Sequence, residues 1–218
     1  MSAPRVGRFH VVTDETVQRR FSHEQLALAA VAGGADVVQY REKRPLPVAR
    51  RIATARGIVV AIAAGRACCI VNDDVDVARS SAAAGVHLGP GDPSPLEARR
   101  RWSEAGWIGA TANDLVAALR AAAGPVDYLG VGPVFATASK ANPAPPLGLQ
   151  GLAEIVAAVD KPVIAIGGIQ ASNVAEVLCT GAWGVAVLSA VVAQADPCEA
   201  ARLVRAEVDR WITREARA

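Results

Sequence analysis

Residues 67–88, ACCIVNDDVDVARSSAAAGVHL, carry the pattern that decides the fold. An apolar run at 67–71 ends in the polar cluster Asn72, Asp73 and Asp74. An Ala-rich amphipathic stretch follows at about 73–83, and the turn AAAG at 82–85 feeds a second apolar run at 86–88. The runs are continuous, not alternating, which suits parallel strands covered on both faces. The unit recurs along the chain. Further strands are read at about 9–13, 37–41, 107–111, 127–131, 162–166 and 184–188. Helix-like stretches fall at about 23–32, 47–64, 94–104, 114–122, 149–159, 171–180 and 198–214. Gly-containing helix ends, GGAD at 33–36 and TGAWG at 180–184, feed the next strand in the same way. Eight units in 218 residues is about 27 residues each, near the ~30 of a compact βαβ step. The prediction is an α/β chain folded as a (β/α)8 TIM barrel, a single domain over 1–218. A doubly wound sheet would announce itself with G-x-G-x-x-G after the first strand, and nothing of that kind follows Thr13. The one long irregular stretch, about 132–147, reads as an active-site loop.

Composition removes several classes of function. The net charge is +2, too small an excess to favour nucleic acid or an anionic membrane as partner. The longest apolar run, Ile58 to Ala64, falls far short of the ~20 residues of a spanning helix. The N-terminus carries Arg5, Arg8 and Asp14 and no apolar core of a signal peptide. Cys68, Cys69, Cys179 and Cys198 show no C-x-x-C spacing and read as buried, reduced thiols of a cytoplasmic protein. Homo-oligomerisation stays open.

In a barrel the working face lies at the C-terminal strand ends. The second strand ends in Gln39, Arg41 and Lys43, the third in Asn72, Asp73 and Asp74. Asp92 follows the fourth strand, Thr111 and Asn113 the fifth, and Thr137, Ser139 and Lys140 the sixth. Gly167 and Gly168 close the seventh and Ser189 the eighth. Each cluster also has an ordinary reading. Arg41 to Arg44 can be a solvated charge run. Asp73 can cap the third helix, and Asp92 the fourth with Pro93 at its first position. His87, inside a short apolar run, reads as a packed core histidine. Yet Gln39 and Arg41 share strand parity, and an Arg pointing into a barrel mouth is costly unless it meets an anion. Two carboxylates at adjacent strand exits are what Mg²⁺ takes, beside waters and phosphate oxygens. Gly167–Gly168 with Ser189 marks the loops where such barrels often bind phosphate. There the backbone can approach the ligand, and any side chain at 168 would take the room the phosphate needs. Together these groups suggest two phosphorylated small-molecule substrates, one with Mg²⁺.

Six segments then match one family in order and spacing. They are VVQYREK at 37–43, IVNDDVDVA at 70–78, GVHLGPGD at 85–92, DYLGVGPVFATASK at 127–140, AIGGI at 165–169 and VAVLSAV at 185–191. From about residue 9 to 200 the chain resembles the thiamine-phosphate synthases. The resemblance implies a transferase that condenses hydroxymethylpyrimidine diphosphate with thiazole phosphate by dissociative substitution, with Mg-assisted departure of diphosphate. It implies that Gln39, Arg41, Lys43 and Asn72 hold the pyrimidine diphosphate, with Lys140 on its diphosphate. Asp73 and Asp92 would be the Mg²⁺ ligands. Thr137, Ser139, Gly168, Leu188 and Ser189 would bind the thiazole phosphate. Charge on Arg41, Lys43 and Lys140 would carry catalysis.

The chain departs from the family pattern in places. Thr111 and Asn113 stand where the family usually has Ser and His; Thr keeps a hydroxyl for a substrate contact, whereas Asn cannot titrate. Ser139 replaces Thr, Tyr40 replaces Leu with its side chain expected on the helix side, and Pro90–Gly91 replace Gln and an acid. Asp74 replaces Arg, which is expected to make the field at the metal more negative. Two other functions fit part of the pattern. A thiazole tautomerase-like isomerase would keep the thiazole half without the Mg²⁺–diphosphate half. A non-catalytic paralogue would bind thiamine precursors as a sensor.

Overall fold

The computed structural model describes residues 6–102, 106–139 and 144–217. Eight parallel strands close into a barrel in chain order. They are β1 (Phe9–Thr13), β2 (Val37–Tyr40), β3 (Cys68–Asn72), β4 (Gly85–Leu88), β5 (Trp107–Ala112), β6 (Tyr128–Val131), β7 (Val163–Ile166) and β8 (Gly184–Val187). Pairing of β1 with both β2 and β8 removes the sheet's edges. Around them run α1 (His23–Ala32), α2 (Val48–Ile62), α3 (Val75–Ser80), α4 (Pro95–Arg101) and α5 (Leu115–Ala122). After these come α6 (Gly148–Ala158), α7 (Val174–Cys179), α8 (Ser189–Val192) and α9 (Pro197–Glu215).

The barrel is the one the sequence predicts, with two corrections to its helices. The stretch at 171–180 opens as a 3-10 turn, Ala171–Asn173, because Asn173 accepts the Gln170 amide at 2.9 Å and tightens the first turn. The short α8 follows β8 with no expected boundary, since the apolar run of β8 continues straight into it. One turn is also unlike its relatives. Gly34 and Gly181 take the left-handed conformation, but at 82–85 that residue is Ala82.

Strand alternation divides the core in two. Val37, Ile70, Tyr128, Ile164 and Ala186 pack inside the barrel. Val11, Val38, Tyr40, Val86 and Leu129 point outward against Leu26, Ile58, Ala98, Leu152 and Val204 of the surrounding helices. Tyr40 thus faces the helices and Gln39 the interior, as parity requires. Cys68 and Cys69 likewise part to the inner and outer clusters, where burial pushes their thiols up to about 11 and about 12. The expectation of four buried thiols is corrected, since Cys69 is buried, Cys68 and Cys198 are half-buried and Cys179 is exposed. Cys179 ends α7 on the side away from Val174, Val177 and Leu178.

The caps settle what the acidic residues do. Asp74, not Asp73, caps α3, accepting the Asp76 and Val77 amides at 3.0 Å each. Ser94 caps α4 with Pro95 in its first turn, so neither Asp92 nor Pro93 has the capping place. Both ordinary readings of Asp73 and Asp92 therefore fail. Among the described residues no helix is long and apolar enough to cross a membrane.

Candidate active site

The C-terminal strand ends open onto one cavity of about 600 Å³. Gln39, Arg41 and Lys43 line it from β2 and its exit, Asn72 and Asp73 from β3. Thr111 lines it from β5, Thr137 and Ser139 from the loop after β6, Gly167 and Gly168 after β7, and Leu188 and Ser189 after β8. Lys140 lies outside the described residues. The remaining expected residue, Asp92, stands just behind Gly89, whose amide donates to its carboxylate at 2.6 Å.

The β2–β4 side is charged and prepaired. Arg41 is held by an ion pair with Asp14, a carboxylate at 0% exposure whose other oxygen accepts the Thr16 amide at 2.7 Å. Asp14, missing from the exit residues that the sequence suggests, stands directly after FHVVT at the exit of β1. Arg41 to Arg44 are not a free charge run. Lys43 pairs with Asp73, and Arg44 bridges Glu42 and Glu15. Asp73 has φ of 70°, a left-handed turn that a short polar side chain tolerates. Asp74 does not strengthen the field at the site as expected, because its carboxylate is taken by the α3 amides and by Arg51 at 2.9 Å.

The carboxyls of Asp73 and Asp92 lie close enough to influence each other. Burial pushes Asp92 up; the Gly89 amide lowers it; the Asp73 carboxyl pushes it up again, to about 6. Two carboxyls brought together at the edge of a cationic cavity repel each other when both are ionised, and a divalent cation relieves that repulsion. Among the described residues no group of three or more His, Cys, Asp or Glu could hold a metal. A two-carboxylate oxygen set suits Mg²⁺, which keeps waters and substrate phosphates in its remaining positions.

The β6–β8 side is uncharged among the described residues. Ser139 and Ser189 hydroxyls meet at 3.3 Å. Gly167 and Gly168 have φ of +100° and +67°. A Cβ at 168 would lie 2.6 Å from Phe135 Cβ and 2.8 Å from the Ala136 carbonyl. Glycine there is required by backbone conformation and by the loop packed against it, not by open space for a ligand. That loop is anchored by backbone bonds from Val134 to Ile166 and from Phe135 to Gly167, 2.9 and 3.0 Å. Its base is closed by Leu147 to Pro133 and Gly148 to Val134, also 2.9 and 3.0 Å. Asn113 donates to the Gly132 carbonyl, so it supports the loop from β5.

The histidines are accounted for. Burial pushes His10 down to about 4, and its ring bonds the Gly7 carbonyl at 3.0 Å. His23 bonds the Thr13 hydroxyl at 2.8 Å outside the cavity. His87 is not only core, as read from the sequence: it lines the cavity floor and bonds Thr111 at 2.9 Å.

The family profile described as thiamine monophosphate synthase matches residues 9–191. The chain belongs to that family. A thiamine-phosphate synthase of Methanoculleus marisnigri is 49% identical, over 90% of this chain and 92% of the relative. One from Chloroflexus aurantiacus is 45% identical over 92% of each. The solved thiamine phosphate pyrophosphorylase of Pyrococcus furiosus superposes with a TM-score of 0.85 at 34% identity, covering 94% of this chain and 96% of its own. Residues of all six matched segments meet at one barrel mouth in the present chain.

Proposed function

We propose that this member of the family joins hydroxymethylpyrimidine diphosphate to thiazole phosphate, giving thiamine phosphate and diphosphate. The observation that carries this is a single cavity with two unlike anion sites. In an eight-strand barrel β3 stands opposite β7, so the Arg41–Lys43–Asp73 cluster faces Gly167–Gly168 across the mouth. A thiazole tautomerase would have no use for the charged side. A cytoplasmic setting belongs to the same reading and is supported by cysteines that are free thiols.

The attacking thiazole nitrogen already has a lone pair, so no general base is needed. That lone pair forms the bond to the pyrimidine methylene carbon. The carbon–oxygen bond to diphosphate breaks, and its electron pair leaves on the diphosphate oxygen. Arg41 and Lys43 stabilise that oxygen's growing charge, with Arg41 held in place by Asp14. Asp73 and Asp92 would hold Mg²⁺, which when bound neutralises diphosphate charge as a Lewis acid. Ser139, Ser189 and the Gly168 turn hold the thiazole phosphate so that its ring nitrogen meets the methylene. Val12, Ile166 and Ala186 give the cavity an apolar floor that keeps water from the electron-poor carbon. The test is purified protein with both phosphorylated halves and Mg²⁺, followed for thiamine phosphate and released diphosphate. Equal amounts of the two products are expected; isomerised thiazole with no diphosphate would establish the isomerase instead.

A further inference from the structure

At the cavity floor, three strands contribute polar groups that this chemistry leaves unexplained. The Tyr128 hydroxyl on β6 lies 2.9 Å from His87 Nδ1 on β4, and His87 Nε2 lies 2.9 Å from the Thr111 hydroxyl on β5. Thr111 lines the cavity, whereas Tyr128 is 1% exposed. The strands are built around these rings. A Cβ at Gly109 would fall 2.2 Å from Tyr128 Cζ, and one at Gly130 would fall 2.6 Å from His87 Cε1. Any side chain at either position would expel a ring from its place.

The direction of the chain of hydrogen bonds follows from the buried phenol. Burial raises the Tyr128 pKa far above the ordinary tyrosine range, so the hydroxyl keeps its hydrogen. Among the described residues its hydrogen-bond partner is His87 Nδ1. Were Nδ1 the donor, the phenol hydrogen would be buried with no acceptor, which is unfavourable. The phenol therefore donates to Nδ1, the ring's hydrogen sits on Nε2, and Nε2 donates to the Thr111 oxygen. That leaves the Thr111 hydrogen directed away from the ring, toward the cavity.

We propose that Tyr128 and His87 are positioning residues that fix the Thr111 hydroxyl as a hydrogen-bond donor to the oxygen leaving with diphosphate. This rests on the synthase reading above. No proton is transferred; the relay sets only an orientation. A donor aimed at an oxygen whose charge grows during bond breaking acts on kcat more than on substrate binding.

The experiment is steady-state kinetics, each substrate varied in turn, on wild type, Tyr128→Phe, Thr111→Ala and the double variant. Removing a preorganised donor lowers kcat by about 10²-fold, so Thr111→Ala should approach that loss. Tyr128→Phe, which frees the orientation but keeps the hydroxyl, should lower kcat about tenfold with both KM values within about twofold. In the Thr111→Ala background Tyr128→Phe should cost nothing more, a non-additivity that mere loss of packing would not produce. His87→Leu, read against Thr111→Ala in the same way, serves if Tyr128→Phe does not fold. Unchanged kcat in Tyr128→Phe, a loss confined to KM, or losses that multiply in the double variant would each overturn the relay while leaving the synthase reading intact. A wild type that forms no thiamine phosphate would overturn both.

Discussion

The two sides of the barrel mouth are built on different physics. From β2 to β4 the rim uses formal charges, and each is already engaged: Arg41 by Asp14, Lys43 by Asp73, and Asp92 by Asp73 and the Gly89 amide. From β6 to β8 the described rim uses hydroxyls and a glycine turn with no charged side chain. The charged side suits a leaving group whose charge grows during reaction, because fixed opposite charges act most strongly on the transition state. The uncharged side suits a phosphate monoester that keeps its charge throughout and needs only to be held.

The largest effect that could break this contrast is at the carboxylate pair. Asp73→Asn and Asp92→Asn should each lower kcat/KM by about 10²–10³-fold at limiting Mg²⁺ while the unfolding midpoint hardly moves. Asn accepts the φ of 70° at position 73, so the fold is spared. Wild-type turnover in either variant at limiting Mg²⁺ would remove the metal from the charged side. Next comes Gly168→Val, where strain and the contact with Phe135 displace the loop. About 1–3 kcal/mol of stability should be lost. The KM for thiazole phosphate should rise tenfold or more, that for the pyrimidine diphosphate staying put. An unchanged thiazole KM would show that the glycine side does not hold that half.

Asp14→Asn sharpens the comparison from the other direction. The substitution keeps an acceptor for Thr16 but removes the charge that fixes Arg41. The pyrimidine diphosphate KM should rise roughly fivefold, about 1 kcal/mol, with thiazole phosphate unaffected. Equal effects on both substrates in kinetics would mean that Asp14 shapes the whole mouth. The smallest change is expected from Asp74→Ala. Loss of the α3 cap should cost about 1 kcal/mol in thermal or denaturant unfolding. Activity should stay within about twofold, because that carboxylate faces α3 and Arg51, not the cavity. A large loss of Mg²⁺-dependent activity would return Asp74 to the site.

The barrel was legible because continuous apolar runs and Ala-rich stretches alternate at a nearly constant interval, and strand parity then placed Gln39 and Tyr40 correctly. The site was legible where chemistry and strand exits coincide, as at Arg41, Asp73 and Gly168. Three things were hidden for physical reasons. In Asp73–Asp74 two identical side chains have opposite tasks, and only backbone conformation separates the cap from the cavity residue. Asp14 works entirely through Arg41, a residue far along the chain, so nothing next to it in sequence signals its partner. His87 sits in an apolar run because its ring is half wall and half polar contact. The signal that would have exposed it is spread over two other strands, in Gly109 and Gly130.

The long loop after β6 leaves and rejoins the barrel through paired backbone bonds, Leu147 to Pro133 and Gly148 to Val134. Fastened at its base, the excursion between is a cassette. Lengthening it adds chiefly closure entropy, about 0.6 kcal/mol for each doubling of length, and leaves the strand register untouched. Variation in substrate preference can therefore accumulate in this cassette during evolution, or be introduced there by exchange between homologues, without renegotiating the barrel that presents it.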